Sequence, residues 1–166
     1  MDAEAPAHPP KRRHGSAAAT LLRVCNTCFG SYAILNAVMS QKLAVARRWV
    51  ELYNERGDVT EFIALLDPEV ELQTPSGPRL RGHDQARDWF EKESENVQSR
   101  LIPDRFVEEG DVVVGLGRAE VRWIESREIA HESESAGVFW FRDGRIVRWQ
   151  PFESYDAALE AAGLAV

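Results

Sequence analysis

The feature that most constrains the fold is a series of strand-forming segments in the second half of the chain. Stretches rich in β-branched and aromatic residues span 101–108, 112–123, 127–142 and 145–153. The short turns "EEGD", "IESR" and "RDG" separate them. Consecutive strands joined by short turns pair in antiparallel order. The sequence therefore predicts a four-stranded antiparallel meander.

Amphipathic segments predict helices around this sheet. From Gln41 to Arg56, apolar residues recur at the three- and four-residue spacing of one buried helical face. Asp58 is placed to cap a second, short helix, residues 83–97 predict a third, and Ser154 is placed to cap a short C-terminal one. We read "EKESE" within the third helix as a solvated face.

A further strand, 69–74, and the short edge segment "PSGPRLRG" lie between the second and third helices. The resulting order is two helices, a strand, a helix, four strands and a helix. It predicts an α+β fold in which helices gather on one face of an antiparallel sheet.

Residues 1–40 differ in composition from the rest of the chain. Four of the 20 basic residues but only two of the 27 acidic residues lie there, and Ala and Pro are frequent. We expect residues 1–40 to be a disordered or non-native N-terminal extension, with the natural product starting near Met39, and residues 41–166 to form one domain. A secretory signal is the alternative, but its apolar stretch is interrupted.

The composition also excludes several partners. The acidic body lacks the basic clusters that bind nucleic acid, and the interrupted stretch 21–39 is a poor membrane span. Cys25 and Cys28 are either half of a zinc site or two incidental thiols, and no other cysteine follows. The sequence has neither a metal-ligand cluster nor a phosphate-binding loop, so we expect no cofactor, and we expect a cytoplasmic protein.

The hairpin around "IESR" has two distinct faces. We expect Arg118 opposite Glu132 and Arg122 opposite Glu128 on a charged outer face. The inner face carries small residues at its centre, which either allow a helix to approach closely or leave a cavity. These small residues are Gly115, Gly117, Ala119, Ser133 and Ser135.

The orientation of Trp149 depends on the turn at Asp143-Gly144. A two-residue loop would place Trp149 outside, whereas a three-residue loop with a bulge turns it inward, opposite Gly137. We choose the three-residue loop, because Trp149 then shields a bare glycine. Ile146, Arg148, Gln150 and Phe152 are then expected on the outer face.

Three segments of the sequence carry a resemblance to a known family: "ARRWVELYNERGD", "LLDPEVELQTPSGPRLRGHDQARDWF" and "FRDGRIVRWQPFESYDAALEAAGL". Over residues 41–165 the chain resembles the SnoaL-like (polyketide cyclase and ketosteroid isomerase-like) branch of the nuclear-transport-factor-2-like superfamily. The resemblance implies a cone, in which a curved antiparallel sheet wraps around three helices, with a short C-terminal helix and one deep pocket. Members include cyclases, isomerases, dehydratases, epoxide hydrolases and noncatalytic binders.

The resemblance also allows the isomerase groups to be matched to this chain. The catalytic aspartate falls on Thr74, the second acid on Gly137, and the tyrosine near Trp49 or Val50. None of these groups is retained, so isomerisation by that route is not expected.

His131 is the histidine expected to face inward, which makes it the candidate catalytic base. The alternative for His131 is a structural bond to Ser133 or to a backbone carbonyl. His83, at the start of a helix, is expected to be structural.

Three functions stay open at this point: proton-transfer chemistry on a small apolar molecule, with Thr74, Tyr53 or Ser135 assisting His131; noncatalytic binding in the same pocket; or a dimeric accessory protein. The ligand is expected to be steroid-, polyketide- or lipid-like. A homodimer is expected through the outer sheet face, where Val138 and Trp140 form an apolar spot. The predicted ligand-binding residues are Trp49, Tyr53, Phe62, Leu66, Thr74, Trp89, Phe90, Ser135, Gly137, Phe139 and Trp149.

Overall fold

The computed structural model describes residues 26–75, 77–92 and 94–164, with side chains from Gln41 onward. The chain divides into two units, Met1–Asn36 and Ala37–Val166, and every strand belongs to the second. The elements are α1 (Asn26–Glu55), α2 (Val59–Ala64), β1 (Leu66–Gln73), β2 (Arg79–Arg81), α3 (Gly82–Glu91), β3 (Val97–Glu109), β4 (Val112–Trp123), β5 (Ile129–Arg142), β6 (Arg145–Phe152) and α4 (Tyr155–Ala161).

The structure describes only part of the predicted N-terminal extension. Residues 1–25, which include Cys25, lie outside the described residues, so the nature of the extension stays a prediction. Helix α1 begins at Asn26 rather than at Gln41.

The six strands form one curved, unclosed sheet in the order β2-β1-β6-β5-β4-β3. Strands β3 to β6 form the predicted antiparallel meander. Strand β1 lies parallel to β6, with Leu72 beside Trp149, so the sheet is mixed rather than wholly antiparallel. Alternation of side chains identifies a strand but not its neighbours, and the long connection from β1 to β6 permits the parallel arrangement.

Apolar side chains pack on both sides of the sheet. On the inner face, helices α1, α2 and α3 pack against β1, β5 and β6 around Trp49, Phe62 and Trp149. On the outer face, α4 covers the centre of β4 and β5, including Leu116 and Val138. The expectation that all helices gather on one face was therefore wrong. The outward-facing side chains of β4 and β5 are themselves apolar, so a helix is needed to keep them from water.

The same packing changes the apolar spot that was expected to support a dimer. Val138 is fully buried in the core beneath α4, and Trp140 is half-buried, with the Arg148 guanidinium 4.6 Å from its ring centroid. The outer face offers no exposed apolar surface at Val138.

Removal of one hydroxyl group, that of Tyr155, tests how α4 is attached to the sheet. Tyr155 Oη donates a hydrogen bond to the Gly117 carbonyl oxygen at 2.9 Å. We expect Tyr155→Phe to lower the free energy of unfolding by about 1 kcal/mol, because one intramolecular hydrogen bond is lost while the ring stays packed. Urea unfolding would measure the change, and an unaltered midpoint would contradict this role.

From Val112 to Val121 the β4–β5 register differs from the prediction by two residues, so Arg118 lies opposite Glu134 and the side chains keep their predicted faces. A bulge between Val121 and Arg122 reduces the difference to one residue near the turn, where Arg122 lies opposite Ile129 rather than Glu128. Arg118 still reaches Glu132 diagonally, at 3.2 Å.

The β5–β6 hairpin corrects the predicted loop but keeps the predicted direction of Trp149. Asp143 and Gly144 have φ of 51° and 77°, the two left-handed residues of a two-residue type I′ turn. A bulge opposite the Trp140–Phe141 step then shifts the register and returns Trp149 to the inner face, opposite Phe139 rather than Gly137. Ile146, expected outside, is fully buried in the inner core.

Helix α3 is shorter than predicted. It ends at Glu91, and Lys92 already has an extended backbone. Ala86 and Phe90 are its buried residues, and no apolar residue follows until Val97, which begins β3. In the run "EKESE", Glu91 is an exposed residue of α3 as predicted, whereas Lys92, Ser94 and Glu95 lie beyond the helix, so the reading of the whole run as a helix face was wrong.

Candidate functional site

A cluster of aromatic rings fills the space between the helices and the inner face of the sheet. The ring of Trp49 stacks on Tyr53 with centroids 5.5 Å apart, and it lies 4.7 Å from Trp149. The rings of Trp49 and Phe139 are T-shaped, with their centroids 5.4 Å apart. Trp49 is 0% and Trp149 1% exposed. Seven of the predicted ligand-binding residues therefore belong to the packed core: Trp49, Tyr53, Phe62, Leu66, Phe90, Phe139 and Trp149.

The two central indoles bury polar groups. Among the described residues, neither Trp49 Nε1 nor Trp149 Nε1 has a hydrogen-bond partner. A Cβ at Gly137 would lie 3.0 Å from Trp149 Nε1, so the glycine provides the room that the indole occupies. Trp149 thus shields Gly137, as the sequence predicted, although it pairs with Phe139.

A small inner cavity remains beside Trp149. Its volume is about 30 Å³, enough for one or two water molecules and far too little for a steroid or polyketide. Four predicted ligand-binding residues line it: Ser135, Gly137, Phe139 and Trp149.

The small residues of β4 are explained by the neighbouring strand β3. A Cβ at Gly117 would collide with the Ile102 carbonyl oxygen and lie 2.7 Å from Pro103 Cα. A Cβ at Gly115 would lie 3.1 Å from the ring of Phe106. Close approach is therefore made by β3 rather than by a helix, and it leaves little open space.

A larger opening, which we name the α1–α3 cleft, lies between the end of α1, the β1–β2 connection and α3. It is an open cleft of about 580 Å³. Its lining includes Tyr53, Arg56, Thr74, Trp89, Lys92 and Ser99. The structure thus brings together three of the predicted ligand-binding residues here, namely Tyr53, Thr74 and Trp89.

Polar groups of this cleft are held in place by their local structure. Burial raises the pKa of the Tyr53 hydroxyl further above neutrality, so this group is a hydrogen-bond donor in the cleft. Thr74, directly after β1, donates from Oγ1 to the Pro78 carbonyl oxygen at 3.2 Å and so fixes the β1–β2 connection.

Arg56 was missed by reasoning from the sequence. It follows α1 with a φ of 50°, and its Nη1 donates to the Phe90 carbonyl oxygen at 3.0 Å. Its guanidinium carbon lies 5.1 Å from the Tyr53 ring centroid. The signal in the sequence was an arginine three residues after a tyrosine on the buried helical face, at the helix end marked by Gly57.

The two histidines lie in different surroundings. His131 is exposed, lies opposite Val121, and is not among the residues that line the inner cavity or the α1–α3 cleft. The geometry therefore gives no support to His131 as a base. His83 Nε2 lies 3.2 Å from the Leu66 carbonyl oxygen, a contact that fits a structural role.

The described residues contain no group of three or more His, Cys, Asp or Glu side chains placed to hold a metal ion. In the same part of the chain, no helix is both long and apolar enough to cross a membrane.

Comparison with known families settles the relationship of this fold. A family model for the SnoaL-like domain matches residues 46–149. The chain belongs to the SnoaL-like domain family. The resemblance predicted from the sequence is thereby confirmed, and so is the α+β fold that it implied.

Solved structures similar to this SnoaL-like domain share its fold. An NTF2-like protein of unknown function from Burkholderia pseudomallei is 25% identical, with a TM-score of 0.60, covering 74% of this chain and 97% of its own. An LEH-like epoxide hydrolase from M. tuberculosis is 15% identical, with a TM-score of 0.57 and coverages of 75% and 94%. An NTF2-like protein from Burkholderia xenovorans is 20% identical, with a TM-score of 0.57 and coverages of 74% and 96%. The comparison with curated proteins finds no match.

Within this SnoaL-like domain, the positions matched to isomerase groups do not all lie in one opening. Thr74 lines the α1–α3 cleft, and Gly137 lines the inner cavity. Of the two candidates for the tyrosine position, Val50 lines the inner cavity with Gly137, whereas Trp49 is buried against Tyr53 and Trp149. The position of the catalytic aspartate is therefore in a different opening from that of the second acid.

Proposed function

We propose that this protein binds a small molecule with a flat apolar body in the α1–α3 cleft, without catalysing a reaction on it. The observation that carries the proposal is the convergence of Tyr53, Thr74 and Trp89 around a space of about 580 Å³. Ligand sites commonly have volumes of about 300–1,000 Å³. The inner cavity, in contrast, is too small for any such molecule.

The volume alone does not select the cleft. A groove of about 560 Å³ runs between α1 and β3, and its lining includes Arg47, Glu51 and Arg105. The α1–α3 cleft differs because Trp89, which is half-buried, stacks on Tyr53 with centroids 5.6 Å apart. An aromatic wall beside a few polar groups is the usual composition of a small-molecule site.

The chemistry of the lining favours binding over proton transfer. Among the described lining residues, Asp88 is the one carboxylate, it is exposed, and no histidine is present. Tyr53, with its raised pKa, is a hydrogen-bond donor rather than a base. Proton transfer with His131 as base stays an alternative prediction for the function. A homodimer through the outer sheet face and a cytoplasmic location also stay predictions.

Thermal-shift screening of steroids, aromatic polyketides and fatty acids tests the proposal. A ligand at 100 times its Kd stabilises the fold by about 2.7 kcal/mol, which raises Tm by several degrees. We expect Trp89→Ala to abolish the shift because the stacking surface is lost.

Trp123→Ala is the matched control, since Trp123 is a partly exposed tryptophan at the end of β4, and it should keep the full shift. A shift that survives in Trp89→Ala would place the ligand elsewhere. If the protein converts the bound ligand, and His131→Ala abolishes that conversion, the protein is an enzyme and the binding proposal is wrong.

A further inference from the structure

We infer that the ligand of the α1–α3 cleft carries a carboxylate, which Arg56 and Lys92 bind while its flat body lies against Trp89. This inference rests on the proposed function and specifies the class of molecule bound. It depends on the position of Arg56, on the charge of the cleft lining, and on the contacts of Tyr53 with both Arg56 and Trp89.

Arg56 is positioned by one hydrogen bond and two aromatic contacts within the described residues. A guanidinium has five N–H donors, and one hydrogen bond to the Phe90 carbonyl oxygen is formed by its Nη1. The guanidinium carbon lies 5.1 Å from the Tyr53 ring centroid and 5.9 Å from that of Phe90. Both aromatic contacts restrict the Arg56 side chain, so this side chain loses little additional conformational entropy when a carboxylate binds.

The charge of the lining is opposite to that of the chain. The chain has a net charge of −7, whereas the cleft lining holds Arg56 and Lys92 against Asp88. Some arginines elsewhere are neutralised, as in the pairs Arg48–Glu61 and Arg142–Asp67. In the described part of the chain, no carboxylate forms an ion pair with Arg56 or Lys92.

Tyr53 connects the basic group to the aromatic wall. Its ring contacts the Arg56 guanidinium and also stacks on Trp89, with an interplanar angle of 22°. A molecule that places an acidic group at Arg56 therefore has Trp89 within the reach of a fused aromatic body. Planar aromatic carboxylates match this arrangement of a basic group beside aromatic rings, and Arg is suited to them because its planar fork binds both carboxylate oxygens.

A charged probe and its neutral counterpart test separately whether the cleft binds a flat molecule and whether it prefers a carboxylate. Naphthoate and naphthamide have nearly the same shape, but only naphthoate carries a negative charge. We expect wild-type protein, titrated by NMR at low salt, to bind naphthoate about tenfold more tightly than naphthamide, the size of one charge-assisted contact. Added salt should reduce the difference.

Variants identify the residue responsible. Arg56→Ala should reduce the preference for naphthoate, because Lys92 remains, and Arg56→Ala combined with Lys92→Ala should remove it. Neither change should alter naphthamide binding, which also shows that the cleft is intact. Arg47→Ala is the matched control, because the guanidinium of Arg47, on α1, also lies over an aromatic ring, that of Phe106, but Arg47 lines the other groove. It should keep the preference.

The outcomes are distinct. Equal binding of both probes to the wild type overturns the carboxylate inference and leaves the proposed function standing. A preference that keeps its full size in Arg56→Ala, or that survives in the double variant, also overturns it. If neither probe binds while the screen finds a ligand, the cleft accepts another class of molecule and this inference is wrong. If no compound binds in either experiment, the proposed function fails as well.

Discussion

Trp149→Ala is expected to lower the free energy of unfolding by about 3–5 kcal/mol, the cost typical of removing a large buried aromatic side chain. Trp149 is 1% exposed and lies against Trp49 and Trp89, with ring centroids 4.7 and 6.2 Å away. Its removal would leave a void that the surrounding rings, which also pack against one another, cannot fill by small shifts.

Urea unfolding with matched variants would measure this effect. Trp140→Ala, on the outer face of the same sheet, should cost less, because Trp140 is only half-buried. Trp149→Phe should also cost less than the alanine variant, since it retains a ring and removes a buried N–H group that has no partner among the described residues. Added indole should restore part of the stability lost in Trp149→Ala. A loss no greater than that of Trp140→Ala would contradict the packing described here.

Gly117→Ala is expected to destabilise the fold by about 3 kcal/mol, at the upper end for an added methyl group in a packed interior. The new Cβ would collide with the Ile102 carbonyl oxygen and lie 2.7 Å from Pro103 Cα and 2.8 Å from the Asp104 nitrogen. All three atoms belong to the backbone of β3, so relief requires the strand itself to move.

Gly115→Ala provides the matched control two residues away on the same strand and face. Its nearest neighbour is Cε1 of Phe106, at 3.1 Å, which belongs to a side chain that can rotate. We expect a loss of at most about 1 kcal/mol in urea unfolding. Equal losses in the two variants would show that the backbone of β3 does not lie over Gly117 as described.

The features predicted correctly from the sequence are those encoded locally. Asp58 caps α2 by accepting hydrogen bonds from the Thr60 and Glu61 backbone nitrogens, as its spacing indicated. The β3–β6 meander follows from turns between neighbouring segments. The inward direction of Trp149 was also predicted correctly, but for the wrong reason. One three-residue loop was expected to turn Trp149 inward, whereas a two-residue turn and a separate bulge together do so.

The features that were missed depend on contacts between distant segments. The face that α4 covers follows from apolar residues of β4 and β5 rather than from α4 itself. The size of the inner cavity depends on how β3 approaches Gly117 and how the indoles fill the centre. The position of Arg56 over Tyr53 and beside Phe90 likewise depends on how α1 packs against α3, which no local pattern encodes.

The parallel pairing of β1 with β6 has a consequence for how the protein folds. The meander needs only neighbouring segments to meet, whereas the β1 side is held by contacts such as Arg142–Asp67, whose residues are 75 positions apart. Closing so long a loop costs entropy before any contact compensates for it. We therefore expect the meander to form early, with β1, β2 and α3 joining it in a later step that also completes the α1–α3 cleft. Ligand binding would then protect the last part of the molecule to fold.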